Sequence, residues 1–173
     1  VADNVSEQPG PINRALRVLE DWADDAGVDA ERADANLVAV QLPGEKKLAT
    51  TVAVKFGEYS VRALAFVVRH PDERTADVHS WLLQRNARLH GAAFMIDSLG
   101  DIYLVAELPI AAFDDAACDK LMGHLLATAD ESFNELLALG FLSSMKREWQ
   151  WRLSRGESTR NLDAFAHLLS GDE

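Results

Sequence analysis

Few residues of this chain are of a type and spacing that could do chemistry. Ser143-Ser144-Met145-Lys146 sets a serine three residues before a lysine, the bare S-x-x-K arrangement in which a lysine can sit beside a nucleophilic serine for hydrolysis. The companion motifs of such hydrolases are missing, and a serine just before a helix ordinarily caps it. Ser143 or Ser144 is therefore expected to cap a helix running through Arg155. Five histidines, His70, His79, His90, His124 and His167, fall on separate segments with no i,i+4 pair and no HExxH, so no metal site is expected. Asp97 and Asp101 flank a turn and could form a carboxylate pair, but aspartate favours turns for its own backbone hydrogen bonds. Cys118 stands near a helix start, where the dipole can lower a thiol's pKa. Beside Ala117 and Leu121 it reads as packing. Neither GxGxxG nor GxxxxGK[ST] occurs, and Glu20, Asp21, Asp24 and Asp25 do not match a calcium loop. No cofactor is expected.

What remains is a basic, tryptophan-rich segment near the C-terminal end. Lys146, Arg147, Arg152, Arg155 and Arg160 surround Trp149 and Trp151, against only Glu148 and Glu157, in a chain of 28 acidic and 17 basic residues with net charge -11. On a helix Arg147, Trp151 and Arg155 share a face, and Glu148 and Arg152 form an i,i+4 pair. Trp149 and Trp151 project about 200° apart, so one is expected to anchor and the other to face a second surface. We assign Trp151 as the anchor and Arg147, Trp149, Arg152 and Arg155 as a partner-binding face. Internal docking of the segment on the sheet and on acidic helices is the competing reading.

Composition bounds the function. At 173 residues, 48% hydrophobic and 26% charged, the chain is of ordinary globular make-up. The acidic balance argues against nucleic-acid binding. No run approaches the ~18 apolar residues of a membrane span, and VADNVSEQPG lacks the pattern of a signal peptide. One cysteine excludes an internal disulfide, and a reducing cytoplasm is the expected location.

The elements that must position these residues follow from periodicity. Gly10-Pro11 opens a helix with Ile12, Leu16, Leu19 and Trp22 on one face, and Gly27 stops it. Residues 29–36 read as a polar link. NLVAVQL, KLATTVAVKF and YSVRALAFVV read as three antiparallel strands separated by Pro43-Gly44 and Gly57-Glu58. A helix is expected from Pro71-Asp72 to about Leu89, its inner stripe Val78, Trp81, Leu82, Arg85 and Leu89. The hairpin AAFMID–DIYLVAEL follows, then a long helix over 115–139 with Ala117, Leu121, Leu125, Ala129, Phe133 and Leu137 in four-residue steps. Helices to Arg155 and to about Leu169 end the chain. The order α-β-β-β-α-β-β-α plus C-terminal helices predicts an α+β fold, an antiparallel five-stranded sheet with helices on one face. Residues 1–10 read as a polar tail and 11–173 as one domain, with a helical extension at 141–173.

Several blocks occur together: LPG before TTVAV, RHPDE before WLLQRNARLHG, AFMIDSLGDIYLVAELP, ADESFNELLALGF and REWQWRLSRGESTRNLDAF. In number and order they resemble the actinobacterial branch of the YbjN family, over 37–165. The resemblance implies the fold that family shares with class I chaperones of type III secretion. Those chaperones are small acidic homodimers that hold an extended client segment and catalyse nothing. It assigns no functional residues. The expected function is a non-enzymatic, chaperone-like or adaptor module for a client protein, working as a homodimer with Val78, Trp81 and Leu82 at the interface. The alternatives are a small-molecule sensor with its ligand between the C-terminal segment and the sheet, and a hydrolase using Ser143 and Lys146.

Overall fold

The computed structural model describes residues 10–170, so of the expected polar tail only Gly10 lies within the described residues. Pro11–Ala26 forms α1, closed by Gly27 in the left-handed region at φ 65°. Six strands follow in two groups: β1 Asp29–Asp34, β2 Leu37–Pro43, β3 Ala49–Phe56 and β4 Ser60–Val68, then β5 Ala93–Ile96 and β6 Ile102–Pro109. The helix α2, Thr75–Asn86, joins the two groups. A 3-10 turn leads into α3, Asp115–Gly140, then come α4, Leu142–Arg155, and, after a second 3-10 turn, α5, Ala166–Leu169. The sheet is wholly antiparallel in the order β1-β2-β3-β4-β6-β5.

The sheet has six strands, not the five expected. The extra one, DAERAD, is exposed at every residue, so it carries no apolar alternation that could mark it. It exists because its backbone pairs with β2, from Asp29 opposite Gln41 to Asp34 opposite Leu37. Its charges also blunt an otherwise sticky sheet edge.

One face of the sheet carries the core. Val38, Val40, Val52, Val54, Val61, Ala63, Ile102 and Leu104 alternate inward against Leu16 and Leu19 of α1 and Met122 and Leu125 of α3. Asp114 caps α3 by accepting from the Ala117 amide at 2.9 Å. A strict four-residue step advances about 40° per turn around a helix, and the expected stripe on α3 drifts accordingly. The buried line instead mixes steps of three and four through Cys118, Leu121, Met122, Leu125, Ala129, Ser132 and Leu136. Phe133 and Leu137 are only half-buried, and Leu137 bridges to a second cluster under α4.

Two other expectations are corrected. Helix α2 starts at Thr75, because the amides of Asp72 and Glu73 donate to the Gly140 carbonyl at 3.0 and 3.2 Å and leave the segment unwound. Val78 and Leu82, assigned to a dimer interface, are 0% and 5% exposed within the chain's own core. Trp81 is half-buried, its Nε1 donating to Glu135 Oε2 at 3.1 Å and its ring meeting Phe94 edge-on. Apolar residues on α2 served the single chain first.

Leu125 is fully enclosed at the middle of α3. Leu125→Ala is expected to lower unfolding free energy by about 2–5 kcal/mol, read by urea denaturation. A loss under ~1 kcal/mol would mean that α3 is not the helix that closes the core.

Candidate functional site

The segment Arg69–Glu73 is where the sheet, α3 and α4 meet. Arg69 donates two hydrogen bonds to the Asp72 carboxylate, at 2.6 and 2.7 Å, while its guanidinium lies 4.8 Å from the Phe141 ring centroid. Ser144 Oγ donates to Asp72 Oδ2 at 2.7 Å, and Glu73 accepts from both the Ser143 amide and its hydroxyl at 2.6 Å. Ser143 and Ser144 are thus not caps themselves. They lie inside α4, whose first turn is capped by a carboxylate 70 residues earlier in the chain. A Cβ on Gly140 would sit 3.0 Å from Pro71 Cβ and 3.2 Å from Val78 Cγ2, so a side chain there would press the two segments apart by a few tenths of an ångström. Arg69 and then Ser144 hold the Asp72 carboxyl down to about 2. The hydroxyl and amide of Ser143 lower that of Glu73.

This joint sets which faces of α4 are covered. Met145 packs with Leu162, Phe165 and Leu169 of the returning tail, and Trp149 is half-buried against the same cluster. Trp151 is 46% exposed. The expected division is therefore reversed: Trp149 is the anchor and Trp151 faces outward. The two do project to different sides, as the helical repeat requires, but the tail returns on the Trp149 side. Arg152 is half-buried, pairing with Glu148 and donating to the Ser158 carbonyl at 3.0 Å. Of the assigned partner face, Arg147 and Arg155 are exposed, while Trp149 and Arg152 are turned into the tail. The Arg155 guanidinium lies 5.0 Å from the Trp151 ring centroid, and Arg147 donates to Ser144 Oγ at 2.9 Å. Arg147, Trp151 and Arg155 form an outward ladder one turn apart.

The sheet's outer face is the second feature: helices on one face leave the other to solvent or a partner, but the residues that line it were not singled out in the sequence. By register Ala39, Ala53, Leu64, Val105 and Ala93 form one row across β2, β3, β4, β6 and β5. Phe66, Tyr103 and Met95 line up beside it, with the Phe66 and Tyr103 rings edge-on at 5.4 Å. A solvated face should present polar residues at these alternate positions; apolar ones there were the signal available. A trough of about 520 Å³ runs over Ala53, Leu64, Phe66, Met95 and Tyr103. Phe66 also borders a cavity of about 440 Å³ that reaches Val68, Phe141, Met145 and Glu148 under α4. Lys47 Nζ stands 5.4 Å from the Phe66 ring centroid and donates to the Ala49 carbonyl. Burial lowers its pKa, against the opposing charge of Asp130.

The remaining candidates carry structure. Asp97 Oδ1 accepts from the amides of Leu99 and Asp101, and Asp101 Oδ1 accepts from the His70 amide. Gly100, at φ 86°, passes so close that a Cβ would lie 2.2 Å from His70 Nδ1. Cys118 is fully buried and its thiol is pushed up to about 12 by that burial and by Asp119 and Asp115. The Ser143 hydroxyl is donated to Glu73 rather than held by Lys146. Among the described residues no three His, Cys, Asp or Glu side chains are grouped to hold a metal ion, and no helix is long and apolar enough to cross a membrane.

Residues 15–138 match the YbjN family, described as "Putative bacterial sensory transduction regulator". The chain belongs to the YbjN family. It is 54% identical over 129 residues to the uncharacterized protein Rv0487 of Mycobacterium tuberculosis H37Rv, spanning 75% of this chain and 70% of that one. Among solved structures, YbjN from E. coli superposes with a TM-score of 0.55 at 15% identity, over 71% of this chain and 91% of that one. The Yersinia pestis type III secretion chaperone SycH, in complex with a stable fragment of YscM2, superposes at 0.50 and 17% identity, over 66% and 96%. The fold of this chain, an antiparallel sheet with helices, is thus similar both to that of YbjN and to that of a type III secretion chaperone. The family match ends at residue 138, before α4 and its ladder.

Two measurements test the joint and the tail. Trp149→Ala should cost roughly 1–3 kcal/mol, below the ~3–5 of a fully buried tryptophan. Trp151→Ala should stay within about 0.5 kcal/mol of the parent; paired denaturation curves giving equal losses would refute the assignment. Because the Asp72 pKa is depressed in the folded state, its contribution is present above the ordinary 3.8 and is lost as pH falls toward about 2. Melting temperature should therefore fall between about pH 4 and 2, and Asp72→Asn should start lower at neutral pH and fall less steeply.

Proposed function

We propose that this YbjN-family chain is a non-enzymatic, chaperone-like module that holds an extended segment of a client protein across the outer face of its sheet. The observation that carries the reading is the apolar row of Ala39, Ala53, Leu64, Val105 and Ala93 on the face turned away from α1 and α3. The adjoining trough and the cavity under α4 meet at Phe66, which makes a path suited to a chain rather than to a compact metabolite. The fold supports the same reading, since its likeness extends to a chaperone, SycH, seen with a fragment of another protein. Ser144 and Glu148 line the cavity, and Arg147 and Trp151 follow each of them by one turn. The ladder therefore runs along the rim, where acidic side chains of a client would meet guanidinium and indole.

A charged metabolite between the tail and the sheet is disfavoured by one detail. Arg69, the cation lining that cavity, is already bound at both ends by Asp72. A symmetric homodimer fits the exposed apolar residues beside the free edge of β5, where Leu83 is 71% and Ile96 is 43% exposed. The single buried cysteine fits a reducing cytoplasm.

The test is capture with tagged parent and variant chains from the source cell, read by quantitative mass spectrometry. Leu64→Arg places a charge in the centre of the row without touching the inner core. It should keep the melting temperature and lower recovery of the captured protein by roughly 30-fold, the size of a ~2 kcal/mol hot spot. Recovery unchanged in Leu64→Arg would sink the outer-face reading. Light scattering at tens of micromolar should give twice the chain mass, and Leu83→Asp with Ile96→Asp should halve it.

A further inference from the structure

A separate cavity on the helix side of the sheet is not used by the client reading. β6 runs through Ile102–Pro109 whereas β5 covers only Ala93–Ile96, and their pairing stops at Ala93 opposite Val105. The far end of β6, paired with β4 on one side, thus has no strand on the β5 side. The turn His90–Gly91, with Gly91 at φ 75°, passes there instead, and α3 lies across the gap. The result is a cavity of about 560 Å³, within the range of small-ligand sites. Leu108, Ala117 and Leu121 make its apolar floor, and its remaining side chains are Lys120, His90 and His124. No acid lines it, in a chain of net charge -11.

The neighbouring carboxylate is turned away. Asp119 accepts from Trp22 Nε1 at 3.1 Å on the α1 side of α3. Lys120 is exposed and has no ion-pair partner among the described residues. His124 is half-buried on the cavity wall, its Nε2 enclosed and without a hydrogen-bond partner among the described residues, so the ring stands beside an unneutralised charge. We propose that this cavity binds a small amphipathic carboxylate, its anionic head at Lys120 and the two histidines and its apolar body on Leu108 and Leu121. The charge supplies selectivity for an acid, and the floor supplies the area that a purely polar anion would leave exposed.

Decanoate, kept below its micelle concentration, is a direct probe, with decanol as the uncharged control of equal tail length. Calorimetry on the full chain should show saturable decanoate binding, with amide shifts centred on Gly91, Lys120 and His124. Decanol should bind at least about tenfold more weakly. Lys120→Glu, on an exposed position, should keep the melting temperature and lose about tenfold or more in decanoate affinity. Ala117→Trp, which fills the cavity from its wall, should abolish the shifts. The proposal is overturned by no saturable binding to the parent chain, by decanol binding as tightly as decanoate, or by shifts centred on the outer sheet face or α4. Loss of capture in the Leu64→Arg experiment does not bear on this site, so the two readings fail separately.

Discussion

The arrangement of this molecule hangs on one exchange of hydrogen bonds. The last carbonyls of a helix and the first amides of the next one lack partners within their own helices. Here α3 ends and α4 begins within two residues, and the same short segment meets one orphan group of each. The Asp72 and Glu73 amides donate to the Gly140 carbonyl, and the Glu73 carboxylate accepts from Ser143. Arg69 holds Asp72 in place and covers Phe141. Gly140 suits the contact, since Pro71 and Val78 crowd the space a side chain would need. The direction of α4 follows from it, and so do the cavity under α4 and the outward ladder.

The two sides of the sheet answer different demands. The inner side is closed by α1 and α3 over a continuous apolar core. The outer side keeps apolar residues at alternate positions, which costs solubility unless something covers them. The β1 edge is treated oppositely to the face: Asp29, Glu31, Arg32 and Asp34 are charged and the whole strand is exposed, which discourages strand addition there, while the face keeps apolar residues. Such a combination favours binding across the strands over binding along the edge. The β5–β6 length mismatch leaves the cavity on the helix side as an independent feature, with its own charge.

Most of the elements are legible in the residues because their signals are local. Gly10-Pro11 and Gly27 bound α1, Gly156 ends α4 in the left-handed region, and the valine-rich alternations between turn dipeptides are strands because period two leaves them no other amphipathic form. Cys118, Asp97 and Asp101 are structural, as their neighbours indicate, and Glu148 pairs with Arg152 as spacing requires. The strand DAERAD is invisible to the same reasoning, because a fully exposed strand is held by backbone bonds to a neighbour and not by burial of its own side chains.

The sites divide in the same way. That Trp149 and Trp151 must face different surfaces, and that Arg147, Trp151 and Arg155 share one, is a consequence of helical repeat and needs no fold. Which tryptophan is covered depends on the side to which Leu162 and Phe165 return, a fact about chain reversal after Gly156. Val78 and Leu82 are apolar on a helical stripe whether they meet a second chain or their own core, and composition does not distinguish the two. Glu73 caps α4 from 70 residues away. Periodicity and capping preferences act over a turn or two of chain; partners at that separation are chosen only when the packed core brings them within hydrogen-bond distance.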